Sequence, residues 1–316
     1  MNNHIWLIGA GPMAVEYARV LNELNVKYDV IGRGERSASS FFKSTGLKPE
    51  VGGVKKFLRR NPIVCSHAII AVGVEQLANT TLQLLEYGVK NILVEKPAGL
   101  NKEEIQKVAD LTRQKAANVF VAYNRRFYTS TKRAREIIDQ DGGVTSFHFE
   151  FTEWAHEIEP LQKPAGLKEK WFLANSTHVL DLAFYLGGKP KEISTFTAGG
   201  LNWHPSASIF VGAGVSETGI LFSYQANWES AGRWSVEILT KENRLIFRPM
   251  EKLKIMNRGS LQVNFVDGID YTLDEKFKPG LFLQTFKFLN RNFKNMLDIY
   301  QCTSIMEVYY KIGNYI

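Results

Sequence analysis

Ile5-Trp6-Leu7-Ile8-Gly9-Ala10-Gly11-Pro12-Met13-Ala14 is the stretch that decides the fold. Its first four residues form an unbroken apolar run, the texture of a short strand buried on both faces. Two glycines follow, and then Pro12, which suits the first turn of a helix because its missing N–H is not needed there. The stretch reads as strand, tight turn and helix. Its Gly-x-Gly-x-x-Ala spacing is that of a dinucleotide-binding turn: Gly9 permits the turn, Gly11 lets backbone approach a pyrophosphate, and small Ala14 lets the helix pack closely on the strand. Pro12 and Met13 open a helix whose N-terminus then faces the phosphates.

Working outward, the same alternation continues. Residues 4–8, 27–32, 67–73, 89–94 and 118–122 read as strands, and 12–25, 75–88 and 102–114 as helices, the last begun by Asn101 as N-cap. That order predicts an α/β fold whose N-terminal domain, 1–122, is a doubly wound parallel sheet binding a dinucleotide. The 316-residue length favours a second domain. After Tyr123 the texture changes. Residues 144–151, 192–198, 209–212, 217–225, 234–239 and 245–248 look like strands joined by Gly, Asn and Pro clusters, with helices only at 128–139 and 176–186. Domain 123–316 is therefore expected to be α+β, with a large, mostly antiparallel open sheet. Its tail, about 281–316, carries apolar residues at helical spacing and is expected to pack at the domain junction.

The end of the second strand bears on the cofactor. An NAD site usually places an acid there to hold the ribose hydroxyls. Here the chain reads Gly32-Arg33-Gly34-Glu35-Arg36-Ser37. Arg33 stands where a guanidinium can stack on adenine and meet a 2′-phosphate, with Arg36 and Ser37 close behind. NADP is the preferred reading; NAD, with Glu35 on the ribose and Arg33 a solvated loop charge, is the alternative. Val72 and Gly73, ending the strand that starts at His67, are also placed at the cofactor.

Composition excludes other classes. Hydrophobic residues make up 45% and charged residues 22%, as in an ordinary globular chain. The +7 charge is spread along the sequence with no long Lys/Arg block, which argues against nucleic acid. Cys65 and Cys302 show no metal or disulfide spacing, so no metal is expected and a reducing cytoplasm fits. No run reaches the roughly 18 apolar residues of a membrane span, and the opening residues from Met1 do not resemble a signal peptide.

Two further segments carry chemistry. Glu95-Lys96-Pro97 follows the apolar run 92–94, which puts Lys96 at the carboxyl end of a parallel strand, where open α/β sheets bind ligands. The next strand delivers Tyr123-Asn124-Arg125-Arg126-Phe127 to the same edge. With the glycine turn, these segments resemble the glucose–fructose oxidoreductase / inositol dehydrogenase family. That resemblance implies an N-terminal Rossmann domain, a C-terminal domain used for substrate binding and for homodimer or homotetramer formation through its sheet, and NAD(P)-linked chemistry on sugars or polyols. It also implies a catalytic Lys96 and a catalytic histidine, matched by His178 in Asn175-Ser176-Thr177-His178. Glu95, Lys96 and Pro97 are expected at the cofactor, with Pro97 after a cis peptide. Tyr123, Arg126, Trp171, Asn175 and His178 are expected at a sugar-type substrate. Asn175 or Ser176 is read as the N-cap of the next helix, which places His178 in or near the first turn, where the helix dipole favours a neutral ring.

The chain departs from the pattern twice. Relatives often carry Asp four residues before the histidine, where this chain has Ala174, and Pro-x-x-His after the strand that here ends in Gly73-Val74-Glu75-Gln76. A hydride-transferring sugar dehydrogenase, in surface-polysaccharide or amino-sugar metabolism, is the leading expectation. A non-catalytic NAD(P)-binding sensor and an NAD-dependent glycosidase of the same fold remain the alternatives.

Overall fold

A computed structural model describes residues 4–315; residues 1–3 of the expected first domain and residue 316 of the second lie outside the described residues. The chain forms two compact units. The first holds residues through Asn124 together with Lys276–Ser304, and the second holds Arg125–Glu275 and the chain from Ile305.

The first unit runs β1 (Ile5–Ile8), α1 (Pro12–Glu23), β2 (Tyr28–Gly32), α2 (Glu35–Thr45), β3 (Glu50–Val51), α3 (Gly53–Leu58), β4 (His67–Ile70), α4 (Leu77–Tyr87), β5 (Asn91–Glu95), α5 (Lys102–Gln114) and β6 (Asn118–Ala122). These strands are parallel, and β1, β4 and β5 are buried almost throughout, which explains their unbroken apolar runs. Asn101 caps α5 as read: its side chain accepts from the Glu104 N–H at 2.8 Å, and Glu104 accepts from the Leu100 N–H at 2.7 Å.

The second unit follows with α6 (Thr129–Gln140), β7 (Ser146–Glu150), the short α7 (Ala155–Ile158), and a π-helical segment Phe172–Ser176 that runs without a break into α8 (Thr177–Gly187). Then come β8 (Pro190–Ala198), β9 (Ile209–Ser216), β10 (Leu221–Asn227), β11 (Ser235–Leu239), β12 (Asn243–Phe247), β13 (Lys254–Asn257), β14 (Asn264–Phe265) and α9 (Thr272–Lys276). Among the described residues they form an eight-stranded sheet in the order β14-β13-β12-β11-β7-β10-β9-β8. It is antiparallel except where β7 meets β10. Alternation along β10 buries Phe222, Tyr224 and Ala226 and exposes the residues between them. Phe147, Phe149 and Phe222 stack beneath Phe184 of α8. The strand read at 217–225 begins only at Leu221, because Glu217–Ile220 makes the hairpin turn that joins β9 to β10.

The chain then returns to the first unit with α10 (Leu281–Leu289), β15 (Leu297–Asp298) and the start of α11 (Ile299–Gly313). β15 lies antiparallel beside β6 and, among the described residues, completes a seven-stranded sheet, β15-β6-β5-β4-β1-β2-β3. The tail, expected to be helical, therefore contains one strand; two residues are too few to show a period.

Candidate active site

In the first unit a cleft of about 660 Å³ opens at the carboxyl ends of β1, β2 and β4. Gly9, Gly11, Pro12, Met13, Val72 and Gly73 all line it, while Ala14 is buried beneath the turn. The two glycines serve differently. Gly9 has φ +128°, and a Cβ there would lie 2.2 Å from the Ala71 carbonyl oxygen, so the turn itself excludes any side chain. A Cβ on Gly11 would meet nothing within 4 Å. The space over Gly11 is open, and the N-terminus of α1, with no side-chain cap, directs its N–H groups there. These residues fit a dinucleotide pyrophosphate.

The far wall of the cleft holds Arg33, Ser37 and Lys55. Arg36 and Glu35, also exposed, are not among the lining residues. Successive residues on a helix differ by about 100° in direction, so Arg36 and Ser37 face different ways. Lys55 was not anticipated. No element is read from sequence between the strands at 27–32 and 67–73, and the pairing of β2 with β3 (Ile31 with Glu50, Gly32 with Val51) carries α3 and Lys55 to the wall. The Gly52-Gly53 pair ahead of a basic helix was the available signal. Where relatives carry Pro-x-x-His, the Glu75 carboxylate crowds Gly73: a Cβ there would lie 2.5 Å from Oε2.

Glu95, Lys96 and Pro97 end β5 at the same sheet edge but are not among the residues lining this cleft. The Lys96–Pro97 peptide is cis. Tyr17 of α1 donates to Glu95 Oε1 at 2.8 Å. Burial, then the Glu95 charge and its hydrogen bond, hold the Tyr17 phenol well above its ordinary pKa, so it stays a donor. The Cys302 thiol of α11 lies 3.9 Å from the Pro97 carbonyl oxygen. Tyr123, just after β6, is buried.

In the second unit, Arg126 makes a two-pronged bond to Asp181 of α8, Nε to Oδ2 at 2.8 Å and Nη2 to Oδ1 at 2.6 Å. Tyr185 covers the guanidinium, whose carbon lies 4.9 Å from the ring centroid. Burial opposes the Arg126 charge, but Asp181 outweighs it and raises the arginine's pKa. The residue read as a substrate contact is thus engaged with the protein. Trp171 is half-buried and meets Trp203 edge-on at 6.3 Å.

The reading of the histidine's helix start is corrected. Asn175 and Ser176 do not cap α8: both donate to Glu153, Asn175 Nδ2 at 3.0 Å and Ser176 Oγ at 2.7 Å. Because the π-helical segment runs into α8, no free helix end exists at Ser176, and His178 lies beyond the first turn of a continuous helix. The dipole effect fades within that turn. The His178 ring lies 6.2 Å from that of Trp234, which also carries the guanidinium carbons of Arg125 at 5.0 Å and Arg233 at 4.8 Å. Neither the Glu153 contacts nor this aromatic–arginine cluster was read from sequence, since each joins residues distant along the chain.

Residues 4–123 match the oxidoreductase family described by its NAD-binding Rossmann fold. That match covers the first domain alone, and it is to the family whose motifs this sequence resembles. No curated protein sequence gives a significant match. Solved structures share the fold. UDP-N-acetylglucosamine 3-dehydrogenase from Acidithiobacillus ferrooxidans aligns over 99% of this chain and 97% of its own, at 14% identity and a TM-score of 0.75. Levoglucosan dehydrogenase, in complex with NADH and L-sorbose, aligns over 100% and 97%, at 15% identity and a TM-score of 0.79. A dehydrogenase from Clostridium difficile aligns over 100% of both chains, at 17% identity and a TM-score of 0.78. Among the described residues no helix is long and apolar enough to cross a membrane.

Proposed function

We propose that this chain is a dehydrogenase or reductase of a sugar or sugar derivative that prefers NADP to NAD. The observation that carries the reading is the cleft of the first unit, with its bare Gly11 and the Arg33, Ser37 and Lys55 wall in place of the acid that binds a ribose diol. Two cations and a hydroxyl suit a 2′-phosphate better than a neutral diol. When bound, the dinucleotide supplies the hydride acceptor or donor.

The chain's own groups handle the proton and the oxygen. His178, as a neutral imidazole, accepts the hydroxyl proton in oxidation and returns it in reduction. Lys96, in the first unit, is suited to donate a hydrogen bond to an oxygen on which negative charge develops. Glu95, tied to Tyr17, and Pro97 hold the backbone on either side of that lysine. Trp171 and Asn175 offer flat apolar and amide surfaces that suit a polyhydroxylated ring, whereas Tyr123 is buried and offers none. The sugar dehydrogenases among the structural neighbours support the substrate class. We place the protein in the cytoplasm and its subunit contact on the open face of the eight-stranded sheet, where Phe196, Val211 and Leu221 are exposed.

Titration of the pure protein with NADPH and with NADH, followed by nucleotide fluorescence, tests the reading. NADPH binds at least tenfold tighter, and Arg33→Ala or Lys55→Ala each weaken NADPH several-fold while leaving NADH unchanged. Equal affinities overturn the preference, and binding of neither overturns the dehydrogenase reading. A screen of sugars and nucleotide sugars for change in nicotinamide absorbance then finds the substrate class, and its turnover is lost in Lys96→Ala.

A further inference from the structure

Glu153 stands three residues beyond the end of β7, and its side chain is 1% exposed. A carboxylate so buried is costly unless donors surround it. Its ion pair does not account for the burial: Arg233 Nη1 is 3.4 Å from Oε2 and its side chain is 42% exposed. Two short bonds reach Oε1, from Asn175 and Ser176. Both donors belong to the π-helical segment, a widened turn that is rare within helices and needs outside support to persist. That segment leads directly into the turn carrying His178.

The bond from Asn175 fixes which way its amide faces. With Nδ2 given to Glu153, the carbonyl Oδ1 is at the opposite end and is an acceptor only, suited to a sugar hydroxyl. The charges around the histidine helix come from four directions. Arg125, just ahead of α6, and Arg233, just ahead of β11, are cations beside Trp234. Asp181, on α8 itself, is taken up by Arg126. Ala174 brings no charge. Glu153 is a carboxylate at this end of α8, paired with Arg233 and bonded to the segment that leads into the helix.

We infer that Glu153 is a positioning residue of the substrate site: through Asn175 and Ser176 it holds the π-helical turn and the amide face next to His178, and it supplies there the negative charge that position 174 lacks. The role rests on the dehydrogenase reading for its effect on turnover, but its effect on His178 is measurable without substrate or cofactor.

The full-length protein, labelled at histidine, gives the His178 ring resonance by its loss in His178→Asn. In Glu153→Gln the His178 titration midpoint falls by at least half a pH unit, while that of His148, whose ring bonds to Ser223 on the neighbouring strand β10, stays in place. An unmoved His178 midpoint overturns the inference. With a sugar from the screen, Glu153→Gln lowers kcat at least tenfold with the NADPH Kd within twofold of the parent, and Ala174→Asp added to it restores part of the loss. A kcat within twofold of the parent also overturns it. Should Glu153→Gln unfold, Glu153→Asp keeps the charge at shorter reach, and it is expected to retain the midpoint while losing kcat; a lowered midpoint in that variant overturns the electrostatic part. If no sugar is turned over, the dehydrogenase reading fails alone, and the titration still decides the role of Glu153.

Discussion

The turn at 9–14 and the turn at 172–178 each bring functional groups to a helix, yet different forces hold them. The first is held by its own backbone: a glycine where no Cβ fits, a bare glycine beyond it, and a helix N-terminus. The second is held from outside, by a carboxylate that arrives from another element. A backbone-held site is written in a few adjacent residues. A side-chain-held site is written in residues scattered over the chain, and it breaks one partner at a time.

The largest effect is expected beyond the second turn, farther along α8. Asp181 is 2% exposed and Arg126 12%, so Asp181→Ala leaves a buried guanidinium unpaired and lowers stability by about 3–5 kcal/mol in denaturant unfolding. The double variant Arg126→Met/Asp181→Leu recovers most of that loss. A double variant as unstable as the single one shows that the pair does more than cancel charge.

Next come the two glycines. Gly9→Ala meets both the left-handed backbone and the Ala71 carbonyl, and costs about 3 kcal/mol by thermal or denaturant unfolding. Gly11→Ala leaves stability within about 0.5 kcal/mol, since its Cβ meets nothing, but weakens NADPH binding at least tenfold. If both variants fall equally in stability, the division between turn and cradle is wrong.

Smaller again is the cap of α5. Asn101→Ala removes the bond to the Glu104 N–H and costs about 1 kcal/mol. Smallest is the acid response, which both units share. Burial pushes His67 of the first unit down to about 4, helped by Arg291, and pushes His204 of the second down to about 4, partly offset by the Ala207 carbonyl. The unfolded chain takes up these protons near the ordinary value of 6.5, so stability is full above that pH and is lost as pH falls toward 4. The melting temperature is therefore expected to fall by a few degrees between pH 7 and pH 5, and less steeply in His67→Phe. An unchanged slope in that variant removes His67 from the account.

What could be read from sequence follows the same division. The parallel sheet, the 9–14 turn, the Asn101 cap and the strand end at Lys96 depend on neighbours within a few residues, and periodicity or spacing records them. Lys55 reaches the cleft only because β3 pairs with β2, and β3 is two residues long. The same shortness hid β15. Ser176 was misread as a cap because its residue type suits one, while its hydroxyl is given to a carboxylate 23 positions away. Ala174 and Arg126 make the same point: the acid missing from the helix and the partner awaiting the arginine both become visible only when distant residues are brought together.

The return of β15 to the edge of β6 has a consequence for how the protein is made. A ribosome releases residues through Ala122 long before Leu297 and Asp298, so the parallel sheet emerges with the edge of β6 uncovered and α10 not yet synthesised. Such an edge invites pairing with other chains. The nascent first unit waits, through the synthesis of the whole second unit, for the strand that closes it, and truncation anywhere before Leu297 leaves that strand unmade.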